Sequence, residues 1–330
     1  MIKELYAEDF IEPMGEGQSV PYRIIADDGE QYILKNQRRY DTVHHNYVHD
    51  DMMFLNELLC YQIALYLDIP IPEAAIIYVE QESITDNPRI YFAHKFNEGF
   101  HYASAYIPDF ETNYLSNQDK LRAMKKPLLI KSWNAFFDKI ENPETFASIV
   151  ALDILVANFD RYNNFGNVQI SHNQGNRKLY ALDYGHAFTG PEWDILKKQR
   201  LLTEILTPTK YHQFILGLGS RGAYGNAGTV FKALEKFIDL NDIENHSFKD
   251  VVYKIECIND VMIDTWLSNI PESWYVDESA QKELLKEYLL AQKSNLREMI
   301  GIFADNNAFS NYRGGGLAWK NVSQASSDTV

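Results

Sequence analysis

Short runs of alternating apolar and polar positions dominate the first hundred residues, and this period predicts β-strands. Residues 21–37, PYRIIADDGEQYILKNQ, contain two such runs joined by an Asp-Gly pair, which predicts a tight hairpin. Residues 52–69 instead space their apolar side chains as a helix does, and a proline follows them. Residues 74–81 and 89–96 predict two more strands, with SITDNP as their turn.

Beyond residue 100 the pattern changes to that of helices. Residues 127–140 and 143–159 each begin at a proline, which suits the first turn of a helix. A β pair follows, formed by NVQI and KLYALDYG, with SHNQGN as the turn between them. Amphipathic spacing then predicts helices over the remaining apolar segments, which are 211–218, 228–238, 248–267 and 279–303.

This order of elements predicts an α+β protein with two lobes. We expect a small β-rich N-lobe over residues 1–97 and a larger, mainly helical C-lobe over residues 98–310. Residues 311–330 are rich in glycine and serine, so we expect a flexible tail there.

The charge balance narrows the classes of partner. The 330 residues carry a net charge of −15, which argues against direct binding of nucleic acid or of an anionic membrane across a broad face. The two cysteines, Cys60 and Cys257, lack the spacing of a metal site and predict buried thiols in a reducing compartment. The N-terminal residues lack the apolar core of a signal peptide, and no run is long enough to span a membrane. We therefore expect a cytoplasmic protein.

Candidate chemistry begins with a glycine pair and a lysine. Gly15 and Gly17 precede a predicted strand, where bare N–H groups can approach phosphate oxygens, although such a pair also suits an ordinary loop. Lys35 lies in the following strand, either as a ligand of phosphate or as a solvated edge residue. Glu57, on the predicted helix, is positioned in sequence to pair with Lys35 or to face solvent.

The strongest pattern joins residues 158–170, NFDRYNNFGNVQI, with residues 179–188, LYALDYGHAF. Asp160 follows a buried helix, where a carboxylate can accept the proton of an attacking hydroxyl. Asn167 opens the next strand and offers a neutral oxygen to a metal, while Asp183 ends the paired strand, where a carboxylate can bridge Mg²⁺ to phosphates. The alternative is a turn and hairpin capped by Asp and Asn. The order of all the pieces favours a phosphoryl-transfer site.

Both stretches resemble the HipA-like kinase family, a branch of the protein-kinase-like fold. In that family the catalytic loop reads N-x-D-R, an asparagine then opens a strand, and a short strand ends I-D-x-G. Residues 55–77 and IPESW at 270–274 also look like parts of the family, so that the resemblance spans roughly residues 10–300. It implies that Gln18 and Ser19 belong to a loop covering the phosphates.

The resemblance also implies a role for each residue of the pattern. Asp160 corresponds to the catalytic base, Asn167 and Asp183 to the Mg²⁺ ligands, and Lys35 to the lysine on the ATP phosphates. Two features depart from the family: the asparagine lies seven residues after Asp160, which makes Asn164 a rival ligand, and the third motif is Asp-Tyr-Gly.

An insertion over residues 38–51 has no counterpart in the family. It contains His44, His45 and His49, for which a metal clip and a solvated loop are alternatives, the loop being favoured. Arg161 is expected to hold the loop by pairing with a carboxylate, with neutralisation of phosphate as the alternative.

The function expected from these patterns is ATP- and Mg²⁺-dependent transfer of phosphate to a hydroxyl, with Ser or Thr of a protein as the favoured acceptor. A small-molecule or lipid kinase and a non-catalytic module that binds nucleotide or a partner are the alternatives. Because the family includes toxins paired with DNA-binding antitoxins, the resemblance implies a protein substrate and an antitoxin-type partner.

Overall fold

The computed structural model of the chain describes residues 2–14, 20–41, 43–92, 94–111, 135–161, 164–173, 175–217 and 229–321. Its nine named strands are β1 Lys3–Pro13, β2 Tyr22–Ala26, β3 Gln31–Leu34, β4 Arg38–Asp41, β5 Asn46–His49, β6 Ala74–Val79, β7 Gly99–Ala105, β8 Val168–Asn173 and β9 Asn176–Ala181. Its α-helices are α1 Met53–Tyr66, α2 Gln81–Asp86, α3 Pro88–Phe92, α4 Thr145–Leu155, α5 Ile195–Gln199, α6 Pro208–Gly217, α7 Thr229–Leu234, α8 Lys249–Glu256, α9 Asp260–Ser268 and α10 Glu278–Asp305.

The N-terminal part of the chain is a closed five-stranded barrel with the strand order β1-β2-β3-β7-β6. The predicted β2–β3 hairpin is present, and Gly29 turns the chain with φ +80°. Strand β1 pairs antiparallel with β2 and parallel with β6, which closes the barrel. Side chains such as Ile24, Leu34 and Ile77 fill its interior. The barrel extends to Ala105, beyond residue 97, where we expected the N-lobe to end.

The predicted strand at residues 89–96 is wrong, and so is the turn before it. Residues 81–86 and 88–92 form the short helices α2 and α3. Pro88 occupies the first turn of α3, where its missing N–H costs nothing, and Lys95 adopts a left-handed backbone with φ +60° after the helix. The strand that follows β6 in the barrel is instead β7, which comes after these helices and pairs with both β3 and β6.

Helix α1 is buried along almost its whole length and belongs to the large apolar core of the helical part. Helix α4 lies in the same core, and its side chains are almost all buried. The predicted helix over 248–267 is interrupted, because Asn259 caps a new helix by accepting a hydrogen bond from the N–H of Met262 at 3.0 Å. Most of the predicted segment 127–140 lies outside the described residues.

The described residues after 310 pack against the helical part. The N–H of Ala318 donates to the carbonyl of Ile243 at 2.9 Å, and the ring of Trp319 packs edge-on against His246 at 4.6 Å. Within the described ranges, no helix combines the length and the apolar character that a membrane span requires.

Candidate active site

A cleft of about 640 Å³ separates the barrel from the helical part. Five residues predicted for the site line it, together with the rival ligand Asn164, and the five come from four separate segments of the chain: Lys35, Glu57, Asp160, Asn167 and Asp183. Its volume falls within the range of about 300–1,000 Å³ that is usual for ligand pockets. The fold therefore brings these five side chains into one cavity.

Lys35 lies at the centre of a buried ionic cluster. Its backbone N–H donates to the carbonyl of Tyr102, which joins it to the barrel. Its ammonium forms an ion pair with Glu57, as predicted, and a second with Asp183 at 2.9 Å. Burial lowers the pKa of Lys35, but the charges of the two carboxylates outweigh burial and raise it overall.

The two carboxylates of this cluster differ in their electrostatics. Burial raises the pKa of the Glu57 carboxyl, and the charge of Lys35 opposes that effect. Burial also raises the pKa of Asp183, but Lys35 outweighs it and holds this pKa well below its usual range. Because 37% of the Asp183 side chain is exposed, against 2% of that of Glu57, Asp183 presents the negative charge to the cleft.

The backbone around Asp183 is tightly constrained. Asp183 itself adopts a left-handed conformation with φ +57°, which is uncommon for a residue other than glycine. At Gly185 an added Cβ would lie 2.7 Å from Cγ of Met53 and 3.2 Å from Oε1 of Glu57. The glycine of the Asp-Tyr-Gly motif is thus required by the close approach of α1.

Asn56 is a site residue that the sequence patterns did not reveal. Its side chain is fully buried, and its Nδ2 donates to the carbonyls of Gly185, Ala187 and Gly190 at 2.9, 3.0 and 3.2 Å. The adjacent Glu57 accepts a hydrogen bond from the N–H of Tyr184 at 3.2 Å. Two consecutive residues of α1 therefore hold the backbone that follows Asp183. A polar residue within the apolar run of α1 was the only signal for Asn56.

Asp160 and Asn167 line the same cleft and are joined by a hydrogen bond. Oδ2 of Asp160 accepts from Nδ2 of Asn167 at 3.0 Å and from Nδ2 of Asn164 at 3.4 Å. Oδ1 of Asn164 accepts from the N–H of Gly166 at 3.2 Å and so caps the short 3₁₀ turn Phe165–Asn167. Asn164 is exposed whereas Asn167 is buried immediately before β8.

Arg161 is fully buried beneath this loop. Its Nε donates to Asp153 of α4 at 2.7 Å, and its Nη1 donates to the carbonyls of Asn167 and Leu182, the latter at 2.8 Å. The guanidinium also lies 4.4 Å from the ring centre of Tyr184. Arg161 thus joins the Asp160 loop to the segment that follows β9 and carries Asp183, and the predicted pairing with a carboxylate is confirmed.

The insertion at residues 38–51 forms the β4–β5 hairpin, in which Arg39 contacts Asp50 at 3.0 Å and Glu192 at 3.5 Å. The N–H of Trp193 donates to Asp51 at 2.7 Å, so that the hairpin region is joined to the segment after the Asp-Tyr-Gly motif. Among the described residues, no group of three or more His, Cys, Asp or Glu side chains could hold a metal ion.

Four predicted residues, Gly15, Gly17, Gln18 and Ser19, lie outside the described residues. Their assignment to a phosphate-covering loop stays a prediction.

Three solved structures are among those that match this chain. The crystal structure of CtkA, a proinflammatory kinase from Helicobacter pylori, matches with a TM-score of 0.55 and 15% identity, over 93% of this chain and 99% of that chain. HipA of Shewanella oneidensis MR-1, in a complex with HipB and operator DNA, matches with a TM-score of 0.41 and 11% identity, over 88% of this chain and 68% of that one. A Golgi casein kinase with Mn/ADP bound also has a TM-score of 0.41 and 11% identity, over 94% of this chain and 75% of that one.

A search of curated protein sequences gave no match. The predicted two-lobed, protein-kinase-like α+β fold is confirmed by the first of these structures. A family model described as HipA-like kinase matches residues 7–205, which is more than half of the chain. The chain belongs to the HipA-like kinases.

Proposed function

We propose that this kinase transfers the γ-phosphoryl group of ATP, with Mg²⁺, to a Ser or Thr hydroxyl of a protein. The observation that supports the proposal is that Lys35, Glu57 and Asp183 share one cleft with Asp160 and Asn167. Phosphoryl transfer needs a cation on the phosphates, oxygen ligands for a metal and a base near the acceptor. These side chains supply all three.

The donor atoms at the cleft suit Mg²⁺ and ATP. Mg²⁺ prefers oxygen ligands, and Asp183 offers a carboxylate while Asn167 offers an amide oxygen, because its Nδ2 already donates to Asp160. Bound Mg²⁺ would neutralise charge on the phosphates. Lys35 is held as an ammonium, so its role is to bind phosphate oxygens and to exchange part of its pairing with Asp183 for them.

The protein's own chemical step takes place at Asp160. Its carboxylate accepts the proton of the acceptor hydroxyl as the hydroxyl oxygen forms a bond to the γ-phosphorus. The bond from that phosphorus to the bridging oxygen breaks, and ADP carries away the electron pair. Asn167 and Asn164 donate to the same carboxylate oxygen and orient it. Alignment and charge neutralisation supply most of the catalysis.

The test compares Asp160→Ala with Asp183→Ala. Asp160→Ala should keep ATP affinity within about threefold and lose on the order of 10²-fold or more in rate, which is the usual contribution of a positioned base. Asp183→Ala should lose both nucleotide affinity and rate, because it removes a metal ligand. Glu283→Gln, on the exposed side of α10, is the surface control.

Calorimetry measures the affinities, and autophosphorylation or phosphorylation of a generic protein acceptor measures the rates. Phosphoryl transfer by Asp160→Ala at the wild-type rate would refute the role of this carboxylate. A wild-type protein that phosphorylates small hydroxyl compounds and no protein would move the proposal to a small-molecule kinase.

A further inference from the structure

The β4–β5 hairpin has two unlike faces. Its register places Arg38 opposite His49 and Tyr40 opposite Tyr47. Because side chains alternate along a strand, these four share one face, and all four are exposed. Arg39, on the other face, lines the active-site cleft. The outward face therefore lies directly behind a wall of the cleft.

Helix α3 and the residues after it extend this outward face. Nζ of Lys95 lies 5.4 Å from the ring centre of Tyr47 and 5.9 Å from that of Tyr91. Tyr91 packs edge-on against Phe92 at 5.2 Å, and 69% of Phe92 is exposed. We name this surface the hairpin face and define it as Arg38, Tyr40, Tyr47, Tyr91, Phe92 and Lys95.

The composition of the hairpin face is unusual for this chain. It holds four aromatic rings and two cations, and none of its six side chains is acidic, although the whole chain carries a net charge of −15. Exposed aromatic side chains grouped in this way mark interaction surfaces. A positive surface on an acidic protein favours a short acidic partner, because the remainder of the protein repels a long polyanion.

We propose that the hairpin face docks an acidic segment of the protein substrate, an inference that rests on the proposed function. The rings of Tyr47 and Tyr91 cover apolar parts of the segment, while Arg38 and Lys95 pair with its carboxylates. A substrate held there lies beside the cleft, and the tether raises the effective concentration of its hydroxyl near Asp160.

The first experiment measures binding without nucleotide, so that its result does not depend on catalysis. The probe is a short fluorescent poly(Glu,Tyr) copolymer, and the variant is Arg38→Glu with Lys95→Glu. The dissociation constant of the copolymer from this variant should be about tenfold or more above that from wild type, because both cations become carboxylates. Lys282→Glu is the matched control, since Lys282 also lies over a tyrosine ring, that of Tyr275, at 5.1 Å. Unchanged binding by the double variant overturns the proposal.

A short fluorescent oligouridylate tests whether the hairpin face binds single-stranded RNA instead of an acidic protein segment. Binding of this RNA through Arg38 and Lys95, with no binding of poly(Glu,Tyr), overturns the proposal in favour of nucleic acid. The conservative variant, Arg38→Lys with Lys95→Arg, should retain most of the copolymer binding, because it keeps both charges.

The second experiment measures catalysis with dephosphorylated casein as an acidic acceptor. The double charge-reversal variant should raise KM for casein and leave kcat, ATP affinity and autophosphorylation unchanged. An unchanged KM in an active kinase refutes docking while the proposed function stands. If the protein binds the copolymer through Arg38 and Lys95 but phosphorylates nothing, the hairpin face is a docking surface and the proposed function fails.

Discussion

Replacement of Asn56 tests whether a buried amide positions the metal motif. In Asn56→Ala the carbonyls of Gly185, Ala187 and Gly190 lose a shared donor. Two of them keep another donor, because Gly190 also accepts from Nζ of Lys197 at 2.5 Å and Ala187 from the N–H of Gly190 at 3.3 Å. The carbonyl of Gly185, the last residue of the Asp-Tyr-Gly motif, depends most on Asn56.

The magnitude follows from these contacts. Two lost hydrogen bonds at about 1 kcal/mol each, together with a buried carbonyl left without its donor at about 1–3 kcal/mol, give a loss in the free energy of unfolding of about 3–5 kcal/mol. Asp183 has a left-handed backbone, and contacts from helix α1 hold the residues that follow it. Its carboxylate should therefore shift when the Asn56 donor is removed. We expect a fall in rate on the order of 10-fold to 10²-fold, because small misplacements at an active site have effects of that size.

Gln62→Ala provides the matched control on the same helix. Gln62 is buried, its Nε2 donates to the carbonyl of Trp266 at 2.9 Å, and its Oε1 accepts from Asn269 at 2.7 Å. Urea unfolding should show comparable destabilisation for both variants, whereas the rate should fall only in Asn56→Ala. Equal rates for the two variants, measured well below their melting temperatures, would show that Asn56 supports the fold and not the site.

Four further outcomes follow from the structure. Millimolar Mg²⁺-ATP should raise the melting temperature measured by scanning fluorimetry, because a ligand that binds only the folded state stabilises it, and unchanged melting would count against nucleotide binding. Asn167→Ala should abolish metal-dependent turnover while Asn164→Ala retains a substantial part, and the reverse order in a phosphorylation assay would assign the metal to the capping residue. Gly185→Ala should lower both stability and rate, since its Cβ would collide with Met53, and normal values of both would show that the helix yields. Burial lowers the pKa of the Lys197 ammonium from its ordinary value of 10.5 to about 7 in the folded protein. Between these two pKa values the unfolded chain binds a proton that the folded protein does not, so the free energy of unfolding of wild type relative to Lys197→Met should rise with pH by up to about 1.4 kcal/mol per pH unit. A difference between the two proteins in urea unfolding that does not change with pH would refute this.

The elements best predicted from the sequence are those whose burial is uniform or strictly alternating. Helix α4 is apolar and buried at almost every position, and β2 alternates because one of its sides faces the barrel interior. Strand β1 was not recognised, since five of its eleven residues are charged and only Ala7 and Phe10 are buried. Its place is fixed by pairing with β2 and β6, and such pairing between distant segments leaves little trace in one strand's own residues.

The residues of the candidate site also differ in how well the sequence predicts them. The order of Lys35, Asp160 and Asp183 along the chain carries enough chemistry to predict a shared site, since each residue type suits one part of phosphoryl transfer. The residues that hold them were harder to predict. Asn56 bonds to carbonyls 129 to 134 positions away in sequence, and no local pattern encodes which carbonyls it meets.

The carboxylates of Asp160 and Asp183 are positioned by buried polar residues that bind nearby backbone carbonyls. Arg161 reaches the carbonyls of Asn167 and Leu182, which flank the Asp160 loop and the strand before Asp183, while Asn56 holds the backbone beyond Asp183. In surroundings of low dielectric such contacts are strong when complete and costly when one partner is missing. Arg161 pairs with a buried aspartate, so its loss would leave an uncompensated buried charge at a cost of about 3–5 kcal/mol. The precision of the site and the stability of the fold therefore depend on the same few contacts, and a variant that loosens one should weaken both.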